Sequence, residues 1–180
     1  MRLLIIGALC LLAGCSRPEP LQVFGQVPRF TLTAENGEAF DDASLDGHVW
    51  VANFIFTKCT GPCPMMTRKM RQIQAQAPTV RSVSFSVDPA NDTPAALAAY
   101  SQNFRPDYTR WRFLTGDPKV LNDLGLNAFK LNSVDGSLNH SMRFVLVDRK
   151  RQIRGYYSSS EDDFLTQVLK GIRQLEQEAE

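Results

Sequence analysis

The stretch from Val49 to Met66, Val-Trp-Val-Ala-Asn-Phe-Ile-Phe-Thr-Lys-Cys-Thr-Gly-Pro-Cys-Pro-Met-Met, constrains the chain more than any other. Val49–Thr57 is almost continuously apolar and rich in β-branched and aromatic residues. It is too short to span a bilayer and runs into turn formers, so it predicts a strand buried on both faces. Gly61 and Pro62 break the extended run. Pro64 suits a first helical turn, where its missing N–H would have had no partner. Met66, Met70, Ile73 and Ala77 then recur at helical spacing. The unit reads as strand, tight loop with two thiols, helix. Cys59 and Cys63 are expected at the carboxyl end of a central strand and the amino end of a helix. Helix amino ends favour anions, so at least one of the two thiols should ionise more readily than a free cysteine.

The flanking segments supply the rest of one domain, which is what 180 residues allow. Val27–Leu32 alternates like a strand, and Asn36-Gly37 is a hairpin signal before Ala39-Phe40. Ser44–Gly47 reads as a connector. Val83, Phe85 and Val87 mark a second inner strand ending at Asp88-Pro89. Thr93-Pro94 and Asp117-Pro118 each read as a cap followed by a first-turn proline, with a short strand, Trp111–Leu114, between the two helices. After a polar segment, Asn132–Asn139, come two strands, Met142–Val147 and Ile153–Tyr157, turning at Arg149-Lys150. Ser160 and Asp163 suggest a capping box for a last helix whose stripe is Phe164, Leu165, Val168, Leu169, Ile172 and Leu175. An α/β domain with a mixed central sheet flanked by helices follows, with an N-terminal β-hairpin and a loop insertion before the late hairpin.

The amino terminus has another purpose. Met1-Arg2 precedes an apolar run, Leu3–Ala13, that is shorter than a membrane span, and this reads as an export signal. Leu12-Ala13-Gly14-Cys15 resembles the bacterial lipoprotein processing box, in which the cysteine is lipidated and becomes the mature amino terminus. Residues 1–14 would then be the signal, 15–23 a lipidated tether, and 24–178 the domain, held on the periplasmic side of a bacterial membrane. Arg2 is the single charge lost with the signal, which leaves as many basic as acidic residues. A surface so balanced gives no electrostatic reason to expect nucleic acid.

With Cys10 in the signal and Cys15 committed to lipid, only Cys59 and Cys63 remain, in an oxidising compartment. As a structural staple the pair is poor: closing a loop of about five residues constrains the unfolded chain by roughly 2 kcal/mol, against about 3 for fifteen. Two soft thiolates close together suit Cu(I), Zn(II) or dithiol exchange. Zinc generally takes four protein ligands, or three and a water, and the chain has only two histidines. His48 precedes the central strand, which puts it on the order of 30 Å from the thiols at about 3.3 Å per residue, and it reads as a surface residue without a role. His140 ends the polar segment just before an inner strand, and that loop can carry it over the thiols if the strand neighbours the central one. Asp88 ends its strand at the same sheet edge as the cysteines. Met65, Met66 and Met142 read as core rather than as ligands.

At this point a resemblance emerges. Phe56-Thr57-Lys58-Cys59-Thr60-Gly61-Pro62-Cys63-Pro64-Met65-Met66 resembles the Cys-x-x-x-Cys-Pro signature of the SCO/SenC proteins. Ser86-Val87-Asp88-Pro89 with Asp92-Thr93-Pro94 is similar to a second family motif, and His140-Ser141 to the family's late histidine. Lys58 and the stretch Gly125–Phe129 depart from the usual pattern. The resemblance implies a thioredoxin-like fold and a copper site with Cys59, Cys63 and His140 as ligands and Asp88 in support. It also implies delivery of copper to the CuA centre of cytochrome c oxidase, so that the partner would be the oxidase subunit bearing that centre, or another copper client. Three ligands, two of them soft, favour Cu(I), with Cu(II) tolerated through the imidazole. The rival is a thiol–disulfide oxidoreductase using the Cys59/Cys63 pair, for which the histidine would be dispensable.

Overall fold

The computed structural model describes residues 19–138 and 140–178. Its strands are β1 (Gly25–Gln26), β2 (Thr31–Ala34), β3 (Ala39–Asp41), β4 (Trp50–Ile55), β5 (Arg81–Ser86), β6 (Trp111–Thr115), β7 (Arg143–Val147) and β8 (Gln152–Ser158). They form one sheet in the order β1-β8-β7-β4-β5-β6-β2-β3. The helices are α1 (Pro62–Gln76), α2 (Pro94–Gln102), α3 (Pro118–Asn122) and α4 (Phe164–Gln177). β4, β5 and β6 run parallel, while β7 lies antiparallel against β4. The mixed sheet, the N-terminal hairpin and the loop before the late hairpin all match the sequence reading, and the architecture is thioredoxin-like.

Every residue of β4 is buried, because both faces of the sheet are covered. Its side chains alternate between two apolar clusters. Trp50, Ala52 and Phe54 join Phe85, Leu121, Phe129 and Val145 on the face roofed by α3 and the N-terminal hairpin. Val51 and Ile55 join Met66, Met70 and Ile73 of α1, and Val168 and Ile172 of α4. The two expected proline caps are formed: Thr93 Oγ1 accepts from the Ala96 N–H at 3.2 Å and Asp117 Oδ1 from the Lys119 N–H at 2.8 Å. Gly37 takes φ +83° in the β2–β3 turn, a conformation that a residue with a Cβ adopts only at a cost.

Two local expectations are corrected. Helix α1 opens at Pro62, so both prolines fall in its first turn and the thiol loop is shorter than expected. The capping box at Ser160 and Asp163 does not form: the Asp163 carboxylate accepts from the Gln167 side chain at 2.6 Å, and no side chain caps the helix. Its apolar stripe holds α4 instead, with Phe164, Val168, Ile172 and Leu175 all buried. The amino-terminal segment runs beside α4. The Leu21 N–H donates to Glu178 at 3.1 Å, and the Leu21 carbonyl accepts twice from Arg154.

Candidate metal centre

Strand order decides where the chemistry gathers. β4 ends at Ile55, and the loop that follows leads into α1, with Cys63 inside the first turn. β7 pairs directly with β4, Ala52 opposite Val145, so the chain entering β7 passes over the carboxyl end of β4. That passage places His140 above the thiols. The sulfurs of Cys59 and Cys63 and a ring nitrogen of His140 all lie within 4.8 Å of one another. Both cysteines are free thiols, Cys63 fully buried and Cys59 half-buried.

The hydrogen bonds assign the histidine tautomer. Nδ1 faces the Ser141 carbonyl at 3.3 Å, a group that can only accept, so Nδ1 carries the proton. Nε2 is left with its lone pair and lies 3.1 Å from Cys63 Sγ, which donates to it. Burial, partly offset by the bond to Ser141, lowers the His140 pKa and keeps the ring neutral. The Phe56 ring stands edge-on to the imidazole, 5.7 Å between centroids at 83°. This is how a metal-ready histidine is set: one nitrogen anchored, the other presented to the cavity.

Cys63 is not the easily ionised thiol that a helix amino end would favour. Cys63 is raised, not lowered: burial pushes its pKa well above the ordinary thiol range, and the charge of Asp92 and the neighbouring Cys59 add to this, while a backbone hydrogen bond from Phe56 opposes it. The helix amino end is present, but taking the sulfur out of water outweighs it. Cys63 also packs among Met66, Met70 and Phe144, and its carbonyl accepts from Thr67 Oγ1 at 2.8 Å. Having spent its proton there, Thr67 accepts from the Tyr100 hydroxyl at 2.7 Å.

The acidic residues divide in a way the sequence reading missed. Asp88, the expected supporting residue, gives both carboxylate oxygens to the Asn91 amide, each at 2.9 Å, and Asn91 Oδ1 accepts from Lys58 at 3.2 Å. Its carboxylate therefore reaches the thiol loop through Asn91 and Lys58. Asp92 is the residue in direct contact with that loop, through the Thr57 N–H and hydroxyl. The signal for it was present, an Asp four residues beyond Asp88, but Asp before Thr-Pro also reads as an ordinary lead-in to a helix cap. His48 sits before the start of β4, away from the cluster, and is not idle: its Nε2 meets the Arg81 guanidinium at 3.2 Å. Met65 and Met142 pack in the apolar cluster beneath the site. Cys15 lies outside the described residues.

Comparison with known proteins points one way. The SCO1/SenC family model matches residues 20–175. The SCO1 protein homolog of Bacillus subtilis (strain 168) is 34% identical over 178 residues, covering 92% of this chain and 91% of that protein. Among solved structures, a SCO1/SenC family lipoprotein from Bacillus anthracis str. Ames superposes with TM-score 0.78 at 30% identity, over 85% of this chain and 96% of that one. BsSco, a member of the Sco family of cytochrome c oxidase assembly proteins in which a disulfide switch has been identified, gives TM-score 0.77 at 28% identity, over 89% of this chain and 100% of that one.

Proposed function

The chain belongs to the SCO1/SenC family, and on that premise we propose that it is an exported, membrane-tethered copper chaperone. One copper ion is its cargo, held by Cys59, Cys63 and His140. The observation that carries this reading is the convergence of those three donor atoms within 4.8 Å. Two sulfurs and one imidazole nitrogen suit Cu(I), and the nitrogen makes Cu(II) acceptable. Three protein ligands leave one side of the ion open for exchange, and the client is the cytochrome c oxidase subunit that bears the CuA centre.

Among the described residues no helix is long and apolar enough to cross a membrane; in this reading the anchor is lipid on Cys15, on the periplasmic side. The geometry suits such an anchor. Helix α4 begins beside the end of β8, whose Ser158 pairs with Arg143 just after His140, and it ends at Gln177, one residue before the Glu178 that holds Leu21. Leu21 therefore lies at the end of the domain opposite the thiols, and an anchor upstream of it would leave the copper site facing away from the bilayer.

The test is copper stoichiometry and affinity of the reduced, oxygen-free domain from Glu19 onward, beside His140→Ala and Cys59→Ser. One tightly bound copper, weakened at least about tenfold by either change, is expected. Unchanged affinity in His140→Ala refutes the site. A second reading rests on the two free thiols, one of them reachable from solvent: the same pair suits thiol–disulfide exchange with a partner. It requires His140→Ala to exchange as fast as the parent.

A further inference from the structure

Three donors converge on the carboxylate of Asp92, a side chain with no exposed surface. Oδ1 accepts from the Thr57 backbone N–H at 3.1 Å and the Thr57 hydroxyl at 2.6 Å. Oδ2 accepts from the Ser86 hydroxyl at 2.6 Å. Ser86 is the last residue of β5, and its oxygen also accepts from the Asp88 N–H at 2.9 Å. Thr57 lies two residues beyond the end of β4 and two before Cys59. Asp92 thus stitches the ends of two adjacent parallel strands together directly under the thiol loop.

We propose that Asp92 is the positioning residue of the centre, and that Asp88 is not. Holding Thr57 fixes what lies on either side of it. Before it is Phe56, whose ring stands against His140 and whose carbonyl accepts from the Cys59 N–H at 3.3 Å. After it is the turn that carries Cys59. Without the carboxylate, the Thr57 N–H and the Ser86 hydroxyl lose their acceptor in a buried place, and the loop must shift toward water to satisfy them. Cys59 and Phe56 would move while Cys63, fastened in α1, stays. The copper readout of this proposal rests on the function proposed above; the dithiol readout does not.

The two informative variants are Asp92→Ala and Asp92→Asn. An Asn keeps an oxygen toward both Thr57 donors and turns its NH2 to Ser86 Oγ, whose hydroxyl can rotate to accept. It preserves the stitch and removes the charge. Two quantities are measured at 25 °C: Cu(I) affinity by competition with a chromophoric chelator, and the Cys59/Cys63 dithiol–disulfide equilibrium in glutathione buffers. Asp92→Ala should weaken copper by about tenfold or more, the range for residues that orient metal ligands, and shift the glutathione equilibrium by a comparable factor. Asp92→Asn should stay within about threefold of the parent in both. Gly171→Ala, a destabilising change in α4, calibrates loss of stability alone and should move neither. If Asp92→Ala fails to fold, Ser86→Ala removes one donor and should cost about threefold in both readouts, the net worth of one hydrogen bond; no change overturns the proposal. It also falls if Asp92→Ala behaves as the parent, or if Asp92→Asn is as impaired as Asp92→Ala. A parent that binds no copper refutes the proposed function, and the glutathione equilibrium still decides the role of Asp92.

Discussion

Copper affinity should climb steeply with pH, and the structure sets the slope. Cys63 is buried, donates its thiol proton to His140 Nε2, and has its pKa pushed well above the ordinary thiol range. A metal that takes Cys63 as thiolate must expel that proton throughout the neutral range. The logarithm of the apparent affinity therefore rises by at least about one for each pH unit, since each unit is worth about 1.4 kcal/mol in the cost of removing one proton. Between pH 6 and 8 Cys63 alone contributes on the order of a hundredfold. His140 adds little, because its lowered pKa leaves the ring mostly neutral where an ordinary histidine would already be charging. The sign is the same for both groups: protons compete with copper, so affinity falls as pH falls. The assay is anaerobic competition against a chelator whose own pH dependence is known, at half-unit steps. A flat profile between pH 6 and 8 refutes the reasoning, because Cys63 would then be either ionised in the free protein or no ligand. Cys63→Ser separates those cases: it should abolish tight binding if Cys63 is a ligand and leave binding unchanged if it is not.

The remaining predictions concern the scaffold and the anchor. Gly171→Ala should cost about 1–3 kcal/mol in urea unfolding, since a Cβ there would run into the Tyr157 hydroxyl and lie 3.0 Å from Leu146; adding Tyr157→Phe should recover part of the loss, and no recovery would mean the clash is elsewhere. Arg154→Ala removes a buried guanidinium that bridges Asp148 and Glu178, each at 2.8 Å. Leaving Asp148 buried without its cation should cost about 3–5 kcal/mol, read as a lower denaturation midpoint, and a loss under about 1 kcal/mol would show the pair to be solvated. Cys15→Ser should move the full-length protein from the detergent to the aqueous phase on detergent partition, and partition unchanged from the parent would refute lipidation.

The placement of the two thiols was legible in the sequence because the code for it is local. A buried strand, Gly-Pro and a proline-led helix can be read in one window, and they dictate where Cys59 and Cys63 sit. His140 was harder: its position depends on β7 pairing with β4, a non-local fact that the apolar run Met142–Val147 only suggested. What escaped the sequence was everything governed by competing energies. The helix amino end predicted an easily ionised thiol, but whether burial wins depends on how deeply Cys63 sinks among Met66, Met70 and Phe144. Asp88 and Asp92 lie in one short turn, and no pattern says which carboxylate faces Thr57 and which turns to Asn91. The Ser160–Asp163 box failed for a similar reason, because Gln167 offers Asp163 another donor one turn further on.

The unequal burial of the two thiols gives the centre a direction. Cys63 has no exposed surface, while Cys59 and His140 are both half-buried and the loop tip at Thr60 and Gly61 is exposed. Under the proposed function, an incoming client ligand would meet the cargo on the side of Cys59 and His140, and Cys63 would be the last protein ligand it displaces. Disulfide exchange obeys the same constraint, since a partner sulfur can reach Cys59 but not Cys63, which would act from within as the resolving thiol. Copper transfer and thiol exchange thus share one accessible face and one buried residue. Asp92 holds the Cys59 loop from beneath, so the accessible thiol of the pair sits on a loop that the ends of two strands tie down.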